Sequence, residues 1–311
     1  MSELLEPPAG FRVGHWTDAE GMTGCTVVIA PEGARGGIDV RGGGPGTRET
    51  DVVGPFAGTD RVNAVMLAGG SAFGLAAADG AMRWLEEHEI GFPTPAGRVP
   101  IVSGAVIFDL PAGDSAARPT ADAGYAACEA AREGVPARGK VGVGMGAGAG
   151  QILGREAASE SGLGYAAARG GLGETVAAVA VANPFGDILE TDGSVLAGAR
   201  REGAPRAVDF VAALTREELP SELDTRQHTT LVCVMTSAPL DKGQCGRVAR
   251  GASAGIARAI EPVFTDLDGD TVFCLASGSG APPSMYDVMQ LQALAARVTA
   301  EAIRDAVRNA R

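Results

Sequence analysis

A threonine and two aspartates carry the clearest chemical signal in this chain. Thr229 opens an apolar run of β type, residues 230–235, directly after a polar stretch. Asp268 and Asp270 stand just before a second run of the same type, residues 271–275. A hydroxyl at one strand start, with carboxylates at the start of a neighbouring strand, suits a hydroxyl nucleophile that needs a base and an orienting group. The pattern predicts an amide hydrolase that first cuts its own chain.

Two other motifs have weaker chemical interpretations. Glycine stands at every second position of residues 142–150, but neither the phosphate-loop pattern nor the dinucleotide fingerprint is met. We expect a loop that packs tightly, or one whose N–H groups approach a substrate or another strand. Residues 266–270 resemble the start of a calcium loop, but the required later Gly and Glu are absent. A magnesium site or a solvated turn both remain open for that segment.

Histidine and cysteine chemistry is disfavoured. The three histidines (His15, His88 and His228) are not spaced as metal ligands, and no G-x-S-x-G elbow occurs. The five cysteines are scattered without C-x-x-C spacing, which argues against a zinc site or a disulfide framework and favours a reducing compartment. We expect the reaction to need neither a metal ion nor an organic cofactor.

The composition argues against several classes of binding partner. The 311 residues carry a formal charge of −12, which argues against nucleic acid or an anionic membrane as the main partner. No apolar run reaches the roughly 18 residues that span a bilayer. The first residues are acidic and interrupted by proline, unlike a signal peptide. These features predict a cytoplasmic protein.

Predicted strands and helices alternate along the whole chain. Separate strands are expected at 11–13, 26–29, 36–40, 63–68, 105–108 and 175–181, and after Thr229 the order is strand, helix, strand, helix. Residues 183–187 are expected to turn the strand before them into a hairpin with 188–189. Helices are expected at 72–87, 120–132, 242–262 and from Ser284 onward, and 194–228 as an exposed connector. This mixture favours a layered α/β structure with a mixed or antiparallel sheet.

Motifs spread over most of the chain carry a family resemblance. They lie at residues 28–43, 67–75, 105–109, 143–147, 181–184, 229–231 and 264–273. With them, the chain resembles the self-processing aminopeptidases and amidases that include L-aminopeptidase/D-amidase, β-peptidyl aminopeptidase and the nylon-oligomer hydrolase. The Thr nucleophile with two Asp partners is most similar to the nylon-oligomer hydrolase branch.

The resemblance implies a fold and a maturation step. The fold is a four-layer αββα sandwich, here a single domain over residues 1–311, shared with ornithine acetyltransferase. A cut between His228 and Thr229 would give pieces 1–228 and 229–311 that stay together. Homo-oligomers, commonly tetramers, are usual in the family. The expected substrate is a short peptide or a linear amide oligomer.

The implied chemistry uses one residue as nucleophile and base. Oγ of Thr229 attacks the preceding carbonyl, and water releases the resulting ester. The cut frees the α-amine of Thr229, whose pKa near ~8 lets it act as general base. Asp268 and Asp270 would orient the amine and polarise the hydroxyl. The side-chain amide of Asn183 would donate to the oxyanion, a contact worth about 3 kcal/mol in comparable sites.

Three positions depart from the nylon-hydrolase pattern. His228 stands where Asn usually precedes the nucleophile, Gln151 where that branch has Lys, and Phe108 where it has Tyr. Gln151 and Phe108 are the expected substrate-binding positions. Two other functions stay open: an acyltransferase of the ornithine acetyltransferase type, which passes the acyl group to an amine, and an uncleaved homologue without activity.

Overall fold

The structure, a computed structural model, describes residues 4–171, 173–200 and 228–310. Most of the predicted connector, residues 201–227, therefore lies outside the described residues, and 195–197 of it form a strand. The described strands are β1 (Arg12–Asp18), β2 (Thr23–Val40), β3 (Thr47–Arg48), β4 (Val62–Ala68), β5 (Phe92–Thr94), β6 (Gly97–Val99), β7 (Val102–Val106), β8 (Gly148–Ala149), β9 (Ser159–Glu160), β10 (Leu163–Arg169), β11 (Thr175–Asn183), β12 (Asp187–Leu189), β13 (Val195–Ala197), β14 (Thr229–Thr236), β15 (Ile260–Glu261) and β16 (Thr271–Ala276). The described helices are α1 (Thr50–Val53), α2 (Ala77–Glu87), α3 (Ala121–Glu129), α4 (Lys242–Ala257) and α5 (Met285–Arg308).

The long strand β2 joins two sheets. Its first half pairs with β1 and β4, and β7 and β3 follow to complete the first sheet. Its second half pairs with β16, and β14, β11 and β10 follow to complete the second sheet. The register of β2 against β4 shifts between Ile29 and Ala34. Only the β4–β7 and β14–β16 pairs are parallel among these strands, so both sheets are mixed.

Three apolar clusters separate four layers. Leu231, Cys233 and Met235 of β14 point into a cluster shared by the two sheets. Val232 and Val234 alternate with them and point toward α4 and α5, which cover the outer face of the second sheet. A third cluster packs α2 and α3 on the outer face of the first sheet. Period-two alternation thus buries both faces of the sheets, and the four-layer αββα sandwich is confirmed.

Small residues let the layers approach closely. A Cβ at Gly80 of α2 would lie 1.7 Å from the carbonyl oxygen of Ala121. A Cβ at Gly164 of β10 would lie 1.9 Å from the carbonyl oxygen of Ala302 in α5. A side chain at Gly80 would push α2 away from α3, and one at Gly164 would push α5 away from β10. These close approaches explain part of the high glycine content.

Several predicted boundaries need correction. The runs at 26–29 and 36–40 are two parts of β2, because the register shift lets one strand serve two sheets. The predicted hairpin between 175–181 and 188–189 is wrong, since β11 pairs with β10 and β14 while β12 pairs with β13 and β15. The predicted helix at 72–87 begins as the 3₁₀ turn Ser71–Ala76. Ser284 is confirmed as an N-cap, in a capping box with Asp287.

Candidate active site

Thr229 and Asn183 face each other across two strands. Thr229 is the first residue of β14, and Asn183, the last residue of β11, is its direct antiparallel partner. Both side chains share the parity of Leu231 and Val181, so they point to the space between the two sheets. Direct partners of this kind place their Cβ atoms about 5 Å apart. Thr229 is 4 % exposed and Asn183 is fully buried.

Two donors meet the carbonyl in front of Thr229. The Thr229 hydroxyl donates to the His228 carbonyl oxygen at 2.5 Å. The backbone N–H of Gly269 donates to the same oxygen at 2.8 Å. The Thr hydroxyl therefore lies against the bond that self-cleavage would break, and the Gly269 N–H polarises the carbonyl of that bond.

Gly269 leaves room for the Thr229 hydroxyl, and this gives a prediction. A Cβ at this position would lie 2.9 Å from Oγ1 of Thr229 and 2.6 Å from the carbonyl oxygen of Gly44. Gly269→Ala should slow self-cleavage about 100-fold, because a displacement near 1 Å has a cost of that order. The decay of the full-length band after cell-free synthesis measures the rate.

Gly246→Ala is the matched control. It places a methyl group in α4 where a Cβ meets nothing within 4 Å, so its precursor should decay at the wild-type rate. Equal rates for the two alanine variants would contradict the close approach of Gly269 to the Thr229 hydroxyl.

The two aspartates are buried beside this bond. Asp268 Oδ2 accepts from the N–H and the hydroxyl of Thr265, at 2.9 and 2.6 Å. Asp270 Oδ1 accepts from the N–H of Thr230 at 2.6 Å, and Oδ2 accepts from the N–H of Phe264 at 3.4 Å. Asp270 therefore reaches the backbone directly after Thr229.

Burial also shifts the pKa values of these two acids. Loss of water raises the pKa of Asp268, and it raises the pKa of Asp270 further, with the charge of Asp268 as a second cause. Hydrogen-bond donors face both carboxylates and stabilise their ionised form. Because these donors occupy the carboxylate oxygens that a cation would need, the contacts oppose the magnesium interpretation. A freed α-amine at Thr229 would lie beside the segment that carries both acids, since His228 pairs with Asp268 and Asp270 accepts from the Thr230 N–H.

Asn183 has a fixed orientation. Its Oδ1 accepts from the N–H of Gly148 at 3.1 Å and from Nε2 of Gln151 at 2.9 Å. Its Nδ2 donates to the backbone oxygen of Phe108 at 3.2 Å. Phe108 therefore contributes its carbonyl to the site, and Gln151 reaches Asn183 by its side chain. The structure thus brings together every residue named from the sequence as catalytic or substrate-binding.

The glycine loop of residues 142–150 packs tightly against its neighbours, which is the first of the two arrangements expected for it. A Cβ at Gly144 would lie 2.3 Å from the N atom of Leu163, and one at Gly150 would lie 2.1 Å from that of Ala199. The same loop brings the Gly148 N–H to Asn183. Its glycines are needed for this close approach.

His228 lies inside the site rather than on its rim. It is 7 % exposed, and its ring centroid lies 5.0 Å from that of Phe185. The backbone of His228 forms a parallel bridge with Asp268. The residue before Thr229 is thus fixed by backbone pairing on the Asp268 side and by ring contact on the Phe185 side.

Some residues of the site were not found from the sequence. Neither Gly269 nor Thr265 has a role predicted from the sequence. Asp109 is also buried, accepting from the Thr23 hydroxyl at 2.8 Å and the Gly70 N–H at 2.6 Å. It anchors the segment that carries Phe108, and burial raises its pKa. The triplet of residues 268–270 was itself the signal for Gly269, since glycine permits a close approach of the backbone.

Near the site, Asp187 gives a prediction about stability. Burial raises the pKa of Asp187 from 3.8 to about 6, and its Oδ1 accepts from the Ala199 N–H at 3.0 Å. Because the folded-state pKa is raised, the stability that protonation gives is complete below pH 3.8 and is lost as the pH rises through about 6. Asp187→Asn keeps the acceptor and removes the charge.

This variant should unfold like the wild type near pH 4. Above pH 7 it should be more stable by about 1–2 kcal/mol, since one pKa unit corresponds to about 1.4 kcal/mol and nearby water screens part of the effect. Denaturant titrations at pH 4 and pH 7.5 measure the difference. A gain of equal size at both pH values would contradict the buried-charge explanation.

Comparison with known proteins agrees with the fold. The chain superimposes on the L-aminopeptidase D-Ala-esterase/amidase of Ochrobactrum anthropi with a TM-score of 0.70 and 18 % identity, covering 98 % of this chain and 88 % of that one. That enzyme is described as a variant of the N-terminal-nucleophile hydrolase fold. The chain thus shares the layered fold of that enzyme.

Sequence comparison identifies the family. Residues 9–311 match the model of peptidase family S58, so the chain belongs to this family of enzymes that hydrolyse amide bonds. An uncharacterised aminopeptidase of Mycobacterium tuberculosis is 46 % identical over 288 residues, 88 % of this chain and 81 % of that protein. A 6-aminohexanoate-oligomer endohydrolase of Kocuria sp. is 32 % identical over 313 residues, 96 % of this chain and 84 % of that enzyme. The resemblance drawn from the motifs is confirmed.

In the described ranges, no helix combines the length and apolarity needed to cross a membrane.

Proposed function

We propose that the chain is a self-processing amide hydrolase whose nucleophile and base are both Thr229. One observation carries the proposal: the Thr229 hydroxyl contacts the His228 carbonyl oxygen, which also accepts from the Gly269 N–H. A hydroxyl in that position needs only a small movement to attack the carbonyl carbon. The buried acids at 268 and 270 support the proposal, since they flank the same peptide.

Self-cleavage follows as an N→O acyl shift. Oγ of Thr229 attacks the His228 carbonyl carbon, and its proton passes to the departing backbone nitrogen as the C–N bond breaks. The Gly269 N–H stabilises the negative charge that forms on the carbonyl oxygen. Water then hydrolyses the ester and regenerates the hydroxyl. One folded unit would then contain chains 1–228 and 229–311.

Substrate hydrolysis repeats the attack on an external amide. The free amine of Thr229 takes the proton of Oγ as the hydroxyl attacks, and then gives it to the leaving amine. Asp268 and Asp270 flank His228 and Thr230 in the fold, and their carboxylates would stabilise the ammonium form of the base. Asn183 Nδ2, beside Thr229, donates to the oxyanion. Water releases the acyl group from Thr229 in the second half of the reaction.

The substrate class comes from the chemistry and from the relatives. A relative at 46 % identity carries the name aminopeptidase, and one at 32 % acts on 6-aminohexanoate oligomers. We infer that the substrate is a short peptide or a linear amide oligomer with a free amino end. Location in the cytoplasm and assembly as a homotetramer belong to the same proposal. The five buried free cysteines support a reducing compartment.

The purified protein can be tested on linear 6-aminohexanoate oligomers and on β-alanyl and L-alanyl p-nitroanilides. Release of free amine from any of them, absent in Thr229→Ala, is the expected result. An added amine such as ornithine tests the acyltransferase function in the same assay. Faster formation of the acylated amine than of the free acid would favour the transferase instead.

A further inference from the structure

Gln151 enters the site from a rigid turn. The preceding Gly150 has φ +71° and donates its N–H to the carbonyl oxygen of Gly186 at 3.0 Å. Gln151 begins the 3₁₀ turn Gln151–Leu153, and its side chain is 8 % exposed. The backbone therefore fixes where the side chain starts, and burial limits where it can go.

The amide nitrogen of Gln151 faces three acceptors. Nε2 lies 3.1 Å from the carbonyl oxygen of Gly148, 3.3 Å from that of Asn183 and 2.9 Å from Oδ1 of Asn183. Two of these are backbone carbonyls, which can only accept. The Gln151 amide therefore has one orientation, with its nitrogen toward Asn183.

The same argument fixes Asn183. The Gly148 N–H can only donate, so Oδ1 of Asn183 must face it, at 3.1 Å. The Phe108 carbonyl can only accept, so Nδ2 must face it, at 3.2 Å. Gln151 adds a second donor to Oδ1, which withdraws charge from the amide and strengthens Nδ2 as a donor.

We propose that Gln151 is a positioning residue that holds and polarises the Asn183 amide as oxyanion donor. This rests on the proposed function, in which Asn183 Nδ2 donates to the oxyanion. Each acceptor that faces Nε2 is an uncharged carbonyl oxygen, and neither amide side chain titrates. The Gln151–Asn183 pair therefore needs no gain or loss of a proton to act. Gln151 acts through Asn183 and need not touch the substrate.

Gln151→Glu gives the sharpest test because it changes one nitrogen to oxygen. As a carboxylate, Glu would face three acceptors and turn the Asn183 amide away from the oxyanion. At pH 8 the kcat for amide release should fall about 100-fold, the usual cost of losing such a donor, with KM unchanged. At pH 5 a protonated Glu can donate to Oδ1, so the ratio of variant to wild-type kcat should recover toward one.

Two matched variants complete the experiment. Gln151→Met removes the donor without adding charge, and its kcat should fall about 10-fold by the same ratio at every pH. Gln151→Lys keeps N–H donors toward Asn183 and should retain most of the activity. Melting temperatures within a few degrees of the wild type establish that each variant is folded.

Different outcomes would contradict the role of Gln151 and the proposed function. A Gln151→Glu variant with wild-type kcat at pH 8, or with a loss that matches Gln151→Met at every pH, would overturn the role of Gln151. Inactive wild-type protein, or an active Thr229→Ala variant, would instead contradict the proposed function itself.

Discussion

Replacing Thr229 by alanine should leave the purified protein as one chain and abolish amide hydrolysis. The alanine methyl group cannot attack the His228 carbonyl, so the α-nitrogen of residue 229 remains in a peptide bond. Self-cleavage and turnover should therefore be lost together, with residual rates at least ~10⁴-fold below wild type, as for loss of other catalytic nucleophiles. A denaturing gel and an amine-release assay measure the two effects.

Thr229→Ser is the control for this experiment. Serine keeps the hydroxyl and loses only the methyl group, so both self-cleavage and hydrolysis should persist. Two bands in Thr229→Ala, or full activity without self-cleavage, would contradict the role of Thr229 as N-terminal nucleophile.

The second large effect is expected at Asn183. Asn183→Ala removes the Nδ2 donor next to Thr229, and kcat should fall about 100- to 1000-fold while KM changes little. The reason is that the hydrogen bond strengthens as negative charge develops on the oxyanion. Steady-state kinetics on the best oligomer or anilide substrate measures both constants.

The Asn183 side chain also has structural contacts, which need a control. Alanine leaves the Gly148 N–H and the Phe108 carbonyl without their partner, so some loss of stability is expected. Asn183→Asp keeps an acceptor for Gly148 and Gln151 and removes the donor. Both variants should lose kcat, and a wild-type kcat in Asn183→Asp would contradict oxyanion donation by Nδ2.

The two strands next to Thr229 and Asp270 could be predicted from the sequence, because their local apolar pattern agrees with their buried position in the sheet. A β-branched, apolar run after Thr229 and another after Asp270 could only be buried strands, and the structure pairs them in parallel. The pairing of Asn183 with Thr229 was hidden, because it depends on β11 crossing to β14 rather than turning into a hairpin. Long-range pairing of this kind leaves no local signature in the sequence.

Backbone contributions were also beyond the sequence. Phe108 was expected only as a substrate-binding position, and the structure shows that its backbone carbonyl accepts from Asn183. Gly269 has no side chain to attract notice, but its N–H meets the carbonyl before Thr229. β2 was read as separate strands because the register shift interrupts its apolar pattern. Side-chain types predict chemistry well, whereas main-chain donors appear only once strands are placed.

The most direct test of the account is the intact mass of the wild-type protein with N-terminal sequencing of each component. Two masses that sum to the 31.3 kDa chain plus one water, the smaller beginning Thr-Thr-Leu-Val, are predicted. A single mass for the whole chain, in a preparation that still hydrolyses amides, would contradict self-processing at Thr229.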